Sequence, residues 1–360
     1  QLWVQRLRRE QQRVWQLSTG VQPPVAADNP RVGGGGGVVP AAAGADGDQP
    51  SAAAEYRYSP SSDPACFHIY SEPDPHVEQR SQLIRRFRDA VAPVLSQYPH
   101  EAYCIEVPII DSTCVKFLDA RGQDVEKAAG LFRQAVEMRA EQKVDGILSK
   151  PEPVYLKIFE RFPHGWHKFA KNGLPIYIER IGQLDIKRLV EVATPDQLVR
   201  YHVHQSEFFR RKILADACRR SNKKVYQIVT ILDLNGLGKK HLVKEAYNFV
   251  QRITVVDQTM FPETLGKCFI VNAPLLFRMA WVVIRPWLDA KVQSKIDIIY
   301  GPGTDKLAQD IPMEDIPSFL GGGCNCPGVN RHREGKRNRD RDKGADRVGV
   351  CMRERERERE

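Results

Sequence analysis

Apolar side chains recur at helical spacing in residues 79–145, the first clearly patterned part of the chain. The first apolar set is Leu83, Ile84, Phe87, Val91 and Val94. Steps of three and four residues place such side chains on one face of a helix. A second helix is predicted to begin after Asp124, a residue type that caps helix N-termini, and to end before Lys143-Val-Asp-Gly146. The pattern predicts two or three packed helices.

From residue 147 onward, helical stretches alternate with short runs that have the character of β-strands. The predicted strands are 175–180, 225–232, 267–271 and 296–300, each bounded by Gly, Pro, Asn or Asp. Longer stretches at 195–217, 240–258 and 274–294 separate them. This alternation is typical of a mostly parallel sheet with covering helices, an α/β fold. Strand 225–232 is apolar almost throughout, which predicts a central strand covered on both faces.

Both ends of the chain have a different composition. Residues 21–65 are rich in Pro, Ala, Gly, Ser and Asp, with five consecutive glycines at 33–37, and we expect a flexible tether there. Residues 1–20 are compatible with a basic amphipathic helix, but Glu10, Gln11 and Gln12 interrupt its apolar face, which favours a remnant of a longer chain. The charged run after Pro327, which ends in Arg-Glu repeats, predicts a solvated tail.

These shifts in pattern divide the chain into four predicted regions. Residues 1–77 form a low-complexity N-terminal region, and residues 78–145 form a small all-α module. Residues 146–326 form the α/β domain, and residues 327–360 form the charged tail. The ordered part is therefore expected to be smaller than the chain length suggests.

Composition narrows the possible classes of protein. The longest apolar stretch, Phe277 to Leu288, is interrupted by Arg278 and Arg285, and it is shorter than the roughly 20 residues that span a bilayer. The 8 cysteines are irregularly spaced, unlike the dense disulfide framework of a small secreted domain. No signal-peptide pattern follows Gln1, so we expect a fragment of a cytoplasmic protein.

The positive charge is concentrated at the ends of the chain. Residues 1–20 and 331–360 carry +3 and +4 of the formal net charge of +9, which leaves the 310 residues between them nearly neutral. Basic residues interleaved with aromatic residues, the pattern of a nucleic-acid surface, are not found there. We therefore expect no nucleic-acid partner.

Several segments imitate catalytic or metal-binding motifs without the necessary spacing. Three glycine loops, 235–240, 301–306 and 321–323, lack the phosphate-loop pattern and are interpreted as turns or helix caps. Cys324-Asn-Cys326 is too tightly spaced for half of an ordinary zinc site, and no second Cys/His pair follows it. His164 and His167, and likewise His202 and His204, are interpreted as structural. We predict no catalytic residue, no metal and no cofactor, and therefore no enzyme.

The most informative segment is 257–300. Its helix, Pro274 to Leu288, is apolar on nearly all sides, and such a helix is usually simply buried. Three motifs surround it: Phe261-Pro-Glu-Thr-Leu-Gly-Lys267, Asn272-Ala-Pro274 and Ile316-Pro-Ser-Phe-Leu-Gly-Gly322. Together with Lys171-Asn-Gly-Leu-Pro-Ile-Tyr177, they resemble the CRAL-TRIO lipid-binding domain family, which includes the yeast secretory phosphatidylinositol/phosphatidylcholine transfer protein. Residues 110–325 carry the resemblance, which is greatest to the animal members with additional domains.

The resemblance implies a mixed, mostly parallel sheet that floors an apolar lipid pocket, preceded by a small helical module. A gate helix at 273–288 would close the pocket over one amphipathic lipid. The pocket and gate residues implied are Trp166, Tyr177, Phe277, Trp281, Val282, Ile284 and Trp287. We expect a dry hollow behind this helix, and a domain packed solid there would exclude a carrier.

The resemblance also implies lipid headgroup contacts at Glu263, Lys295 and Thr230. A carboxylate accepts hydrogen bonds from inositol hydroxyls, and an ammonium group offsets phosphate charge. Thr264 replaces a family arginine, and Ile228 replaces a hydroxyl residue used for phosphatidylcholine. Phosphatidylinositol is therefore favoured over phosphatidylcholine as the partner lipid.

The sequence favours one function and leaves two alternatives open. The favoured function is intermembrane transfer or presentation of one phospholipid by a monomer that binds membranes transiently as a peripheral protein. The first alternative is a lipid-sensing regulatory or scaffold module without net transfer. The second alternative is a nucleotide-dependent enzyme built on the glycine loops.

Overall fold

The computed structural model describes residues 77–98, 111–221 and 225–326 of the 360-residue chain. The predicted basic helix at the N-terminus, the tether and the charged tail lie outside the described residues. Among the described residues, no helix is long and apolar enough to cross a membrane.

The described part of the N-terminal module contains three helices, α1 (Val77–Gln97), α2 (Asp111–Asp119) and α3 (Val125–Glu141). Phe87, Phe117 and Phe132 fill its core, with ring centroids 5.2 to 6.3 Å apart. Asp124 caps α3 by accepting a hydrogen bond from the backbone N–H of Lys127 at 3.0 Å. The predicted helices and the predicted cap are confirmed.

The α/β domain alternates strands with helices. Its strands are β1 (His164–Phe169), β2 (Pro175–Glu179), β3 (Ile228–Asp233), β4 (Leu265–Val271) and β5 (Ile296–Ile298). Its helices are α4 (Val154–Arg161), α5 (Ile186–Val190), α6 (Pro195–Phe208), α7 (Leu214–Ser221), α8 (Lys244–Met260), α9 (Phe277–Ile284), α10 (Ala290–Gln293) and α11 (Thr304–Asp310). A π-helical turn, Phe209–Ile213, joins α6 to α7.

The five strands form one sheet in the order β1-β2-β3-β4-β5. β1 pairs antiparallel with β2, and the other neighbours are parallel. This arrangement confirms the predicted mixed, mostly parallel sheet with β3 at its centre. β1 was not predicted, because its sequence contains Gly165 and three basic or polar residues, and its pairing is irregular between Trp166 and Phe169.

The two faces of the sheet have different surroundings. Along β3, the residues alternate between partly buried and fully buried. Val229 and Ile231 belong to a packed cluster that includes residues of α11 and the segment after it, such as Leu307 and Ile316. The alternate residues of β3 line the cavity described below. The apolar pattern of β3 therefore correctly predicted a central strand with both faces inside the domain. One face packs against other side chains, and the other face borders the cavity.

A buried ion network connects the helical module to the α/β domain. Arg139 of α3 donates from Nη1 to Oε1 of Glu207 at 2.8 Å, and Arg211 donates from Nε to Oε2 at 2.8 Å. Arg210 also contacts this carboxylate. Burial favours a neutral Glu207, but the three guanidinium groups outweigh burial and lower the pKa of Glu207 well below its usual range. The network therefore requires an ionised carboxylate.

The predicted helix 274–288 is divided in the structure. The backbone N–H of Phe277 donates to the carbonyl of Pro274 at 2.8 Å, which forms a tight turn before α9 begins. After Ile284, residues Arg285–Trp287 form a 3₁₀ turn that contains Pro286. The helix is shorter than predicted because a proline limits regular hydrogen bonding near each end.

Candidate functional site

A large cavity lies between the sheet and the helices of the α/β domain. Its volume is about 540 Å³, and its lining is predominantly apolar. Ile228, Thr230 and Leu232 of β3 form part of the floor. In register, Thr230 lies between Tyr177 of β2 and Cys268 of β4, and both of these also line the cavity. The predicted hollow is present.

Aromatic side chains shape one wall of the cavity. Trp166 stacks on Phe209 at a centroid distance of 5.2 Å and an interplanar angle of 8°. It also contacts the ring of Tyr177 at 4.8 Å. The π-helical turn supplies Phe209, so an irregularity in the helix positions the stacking partner. Both predicted wall residues, Trp166 and Tyr177, lie on the cavity.

Helix α9 covers the cavity with one face and leaves the other exposed. Phe277, Trp281 and Ile284 line the cavity, as predicted for gate residues. Apolar side chains on the outer face of α9 and in the turn before it are largely exposed: Leu275 74%, Met279 68%, Val282 73% and Val283 46%. Val282 therefore belongs to the outer face of α9 rather than to the cavity lining.

Both ends of this covering segment are fixed by polar contacts. At the first end, Asn272 donates from Nδ2 to Oδ1 of Asp233 at 2.8 Å, and its backbone adopts a φ of 52°. At the second end, Gln258 donates from Nε2 to the carbonyl of Trp287 at 3.1 Å and accepts from the N–H of Asp289 at 3.0 Å. Trp287 packs edge-on against Tyr247 beside the cavity instead of lining it.

The predicted headgroup residues Glu263 and Lys295 lie together at the cavity wall. Lys295 Nζ is 3.2 Å from Oε2 of Glu263 and donates to the carbonyl of Leu265 at 2.8 Å. The two side chains are only 11% and 17% exposed, so neither is an ordinary solvated surface charge. Glu263 also has a φ of 57°, a strained conformation for a residue with a side chain.

A second lysine connects this pair to the helical module. Lys291 Nζ lies 2.8 Å from Oε1 of Glu263 and donates to the carbonyl of Asp119 at 3.4 Å. The end of α2 is thereby brought beside the Glu263–Lys295 pair, and Lys116 and Arg121 of this region line the cavity. Sequence reasoning missed these two cations, because nothing in a helical pattern shows that α2 approaches the sheet domain here.

A polar cluster interrupts the apolar wall deeper along β2. Burial raises the pKa of Glu179 to about 7, although His202 and a hydrogen bond from Tyr177 act in the opposite direction. Burial disfavours a charged His202, but Asp257, 2.7 Å from Nε2, outweighs it and raises the pKa of this imidazole. Burial also raises the pKa of Tyr177 and Tyr201 well above the usual value, so both phenols remain neutral.

The histidines and glycine loops that were interpreted as structural have defined partners. His164 donates from Nδ1 to the carbonyl of Phe162, so its Nε2 accepts from the hydroxyl of Tyr201 at 3.1 Å. His204 packs on the ring of Tyr155, and burial lowers the pKa of His204 to about 4. Gly236, Gly303 and Gly321 adopt left-handed φ angles of 96°, 69° and 84° at turns or caps. The turn-or-cap interpretation is confirmed for all three loops.

One cluster was missed because its members are distant in sequence. His167 lies beside Cys324 and Cys326, with one potential ligand atom from each residue within 4.8 Å of the others. His167 and Cys326 are separated by 159 positions, so the spacing of the cysteines alone could not reveal it. Burial opposes ionisation of Cys324, yet its contacts with His167 and Cys326 lower the pKa of this thiol.

The match to a family model decides the identity of the domain. Residues 160–322 match the model described as CRAL/TRIO domain. The chain carries a CRAL/TRIO domain. The match covers the sheet, the cavity floor and α9, and the sequence resemblance is therefore confirmed.

Relatives and a solved structure agree with this assignment. The chain is 33% identical over 254 residues to Protein real-time of Anopheles gambiae. The aligned region covers 68% of this chain and 35% of that protein. It is 35% identical over 217 residues to the phosphatidylinositol/phosphatidylcholine transfer protein SFH11 of Arabidopsis thaliana, covering 60% and 57% respectively. The chain thus spans about a third to just over half of these relatives.

The fold is also shared with a crystal structure of Sfh5. The TM-score is 0.51 at 14% sequence identity, covering 63% of this chain and 82% of that chain. This likeness concerns the fold alone. Several relatives are named phosphatidylinositol/phosphatidylcholine transfer proteins rather than for a catalysed reaction, which agrees with the prediction of a non-enzymatic domain.

Proposed function

We propose that this chain takes up one phospholipid, most favourably phosphatidylinositol, and carries it between membranes or presents it at a membrane surface. The observation that carries this proposal is the cavity covered by α9, a helix with apolar side chains on both its inner and outer faces. An acyl chain gains about 0.8 kcal/mol for each methylene removed from water. A hollow with a predominantly apolar lining offers that gain away from the bilayer.

The outer face of α9 supports exchange at a membrane. Met279 and Val282 of α9, and Leu275 in the turn before it, are exposed to water, where they gain nothing from packing. Laid on a bilayer, these side chains would be buried among lipid tails, and the inner side chains would be uncovered to the same apolar medium. The opening of the gate therefore costs less at a membrane than in water. The contacts at Asn272 and Gln258 fix the ends about which α9 would move.

The charges at the cavity wall support an inositol phospholipid. Glu263 would accept hydrogen bonds from ring hydroxyls, and Lys295 would pair with the phosphate. Lys116 and Arg121 add positive charge to the same wall, where Thr264 supplies none. The pair is already preorganised in the protein, since Lys295 and Lys291 both hold the Glu263 carboxylate.

A donor-to-acceptor vesicle assay with labelled phosphatidylinositol tests the proposal. We expect the chain to accelerate transfer. We also expect Lys295→Ala and Glu263→Ala each to reduce lipid loading at least about tenfold, because each removes a charge-assisted hydrogen bond to the headgroup. Lys306→Ala and Glu160→Ala, which change exposed residues away from the cavity, serve as matched controls. Loading without transfer would support the lipid sensor instead. Normal loading by both cavity variants would exclude their headgroup role.

Mass spectrometry of lipid that co-purifies with the full chain identifies the cargo independently. Phosphatidylinositol at near one molecule per chain is the expected result. Phosphatidylcholine alone would contradict the stated preference while leaving the carrier intact. A chain that neither retains nor loads any lipid would contradict the carrier itself.

A further inference from the structure

A second candidate site lies on the packed side of the sheet, away from the lipid cavity. It consists of the imidazole of His167 on β1 and the thiols of Cys324 and Cys326 in the segment after α11. None of the three residues lines the cavity. We propose that they form a three-ligand site for a thiophilic metal ion, Zn²⁺ in the first instance, and this proposal goes beyond lipid binding.

The distances fit a metal. His167 Nδ1 and Cys326 Sγ are 3.6 Å apart, and all three ligand atoms lie within 4.8 Å of one another. Zinc bonds of about 2.0–2.1 Å to nitrogen and about 2.3 Å to sulfur, at a tetrahedral angle, require a nitrogen–sulfur separation of about 3.6 Å. Imidazole and thiolate are also the ligand types that select zinc over calcium or magnesium.

The imidazole is oriented as in established metal centres. Its Nε2 lies 2.6 Å from the backbone carbonyl of Asp315, and a carbonyl can only accept, so Nε2 carries the proton. Nδ1 therefore presents its lone pair toward the thiols. Asp315 is itself fixed by Lys168, whose Nζ lies 2.6 Å from Oδ1. A buried histidine held in this tautomer is suited to metal binding.

The backbone of the thiol segment is held in place before any metal binds. The N–H of Cys324 donates to the carbonyl of Ile316, and its carbonyl accepts from the N–H of Ser318, each at 2.9 Å. The preceding turn depends on Gly322, where an added Cβ would lie 2.2 Å from the carbonyl oxygen of Ile316. Cys324 is buried, whereas Cys326 is partly exposed, which leaves an open side for entry of the ion.

Binding would join three ligands to one ion. Each of the two S–H bonds breaks, both protons pass to the buffer, two metal–sulfur bonds form, and the Nδ1 lone pair completes the third bond. Water occupies the open fourth position, as is usual for zinc sites with three protein ligands. The ion would fasten the segment after α11 to the edge strand β1.

Titration of the full, reduced chain with Zn²⁺ and with Co²⁺ tests this site. We expect one ion per chain, a Co²⁺ spectrum with thiolate charge-transfer bands from two sulfurs, and a rise of about 5–10 °C in the unfolding midpoint at Zn²⁺ a hundredfold above its Kd. Cys324→Ser or Cys326→Ser should halve the charge-transfer intensity. The double variant should lose it, and Cys218→Ser, a change to a cysteine outside the cluster, should retain it.

Two further measurements do not depend on the folding of cysteine variants. His167→Gln keeps an amide donor for the Asp315 carbonyl but removes the Nδ1 ligand, so we expect weaker Zn²⁺ binding with the fold retained. In the wild-type chain, Zn²⁺ should protect Cys324 and Cys326, and not Cys218, from alkylation mapped by mass spectrometry. The proposal would be overturned by any of three results. These are protection of other cysteines only, Zn²⁺ binding that is unchanged in the double variant, and a Cys324–Cys326 disulfide in place of a bound ion.

Discussion

The same β-strands face two different environments, a solid core on one side and a hollow on the other. Ile231 and Phe269 are fully buried against the segment that contains α11, whereas Leu232, next to Ile231 in sequence, borders the cavity. Because side chains alternate along a strand, one strand supplies both environments. The packed face can therefore hold the sheet together while the other face remains empty enough to receive a ligand.

The adjacent residues Ile231 and Leu232 provide the sharpest test of this contrast. Ile231→Ala should lower the free energy of unfolding by about 2–5 kcal/mol, because it opens a void in a close-packed core. Leu232→Ala should cost less than about 2 kcal/mol, because part of its side chain already borders empty space. Chemical denaturation of the lipid-free chain measures both values. Equal losses would mean that the two faces contribute alike.

The polar cluster on the hollow face should give stability an unusual pH dependence. The pKa of Glu179 is about 7 when folded, against 4.5 as the ordinary value. The folded chain therefore holds this proton more tightly than the unfolded chain. The free energy of unfolding should fall by at most about 3 kcal/mol as the pH rises from 4.5 through 7. His202 adds to this loss of stability, because its pKa is also raised on folding. Its contribution to stability is complete below pH 6.5, the ordinary pKa of histidine, and is lost above the pKa of the folded state.

Glu179→Gln separates the two contributions. The variant should lose the decline between pH 4.5 and 7 and retain only the part due to His202. Glu207 does not interfere, because its pKa is lowered on folding. Its contribution to stability is therefore lost only below pH 4.5, the ordinary pKa of glutamate. Denaturation curves across this pH range provide the measurement, with exposed Glu160→Gln as the control. An unchanged slope in Glu179→Gln would show that this carboxyl is ordinarily hydrated.

The outer face of α9 should have the smallest effect on stability. Met279→Ser and Val282→Ser change exposed side chains, so each should alter the free energy of unfolding by no more than about 0.5 kcal/mol. Transfer between vesicles should nevertheless slow about tenfold in the double variant, because membrane contact loses apolar area. Val255→Ser, which changes an exposed valine on α8, should leave transfer unchanged. Equal slowing by this control would exclude a specific gate contact.

Sequence patterns predicted the parts of the molecule that depend on local physics. The strands β2 to β5 and the capped helix α3 follow from apolar runs, turn residues and Asp124. The edge strand β1 does not, because its polar residues and the irregular pairing before Phe169 hide any alternation. The start of α9 was predicted three residues too early, because a proline compatible with a first helical turn also fits the turn before it.

The candidate site was predictable only where motifs carried it. Glu263 and Lys295 were nominated through their flanking residues, and both line the cavity, while their role with a headgroup stays a prediction. Lys116, His202 and Cys326 depend on contacts between elements distant in sequence, which no local pattern contains. Such contacts are set by tertiary packing, so they became visible only in the folded chain.

The monotonic strand order has a consequence for how such domains diverge. Every parallel connection crosses over the same side of the sheet when it is right-handed, which leaves the opposite side to the C-terminal part of the domain. Substitutions in the crossover helices are therefore expected to change the shape of the cavity, and substitutions on the packed side are expected to change stability. A change in the volume or shape of the hollow need not disturb the side chains that hold the strands together from behind.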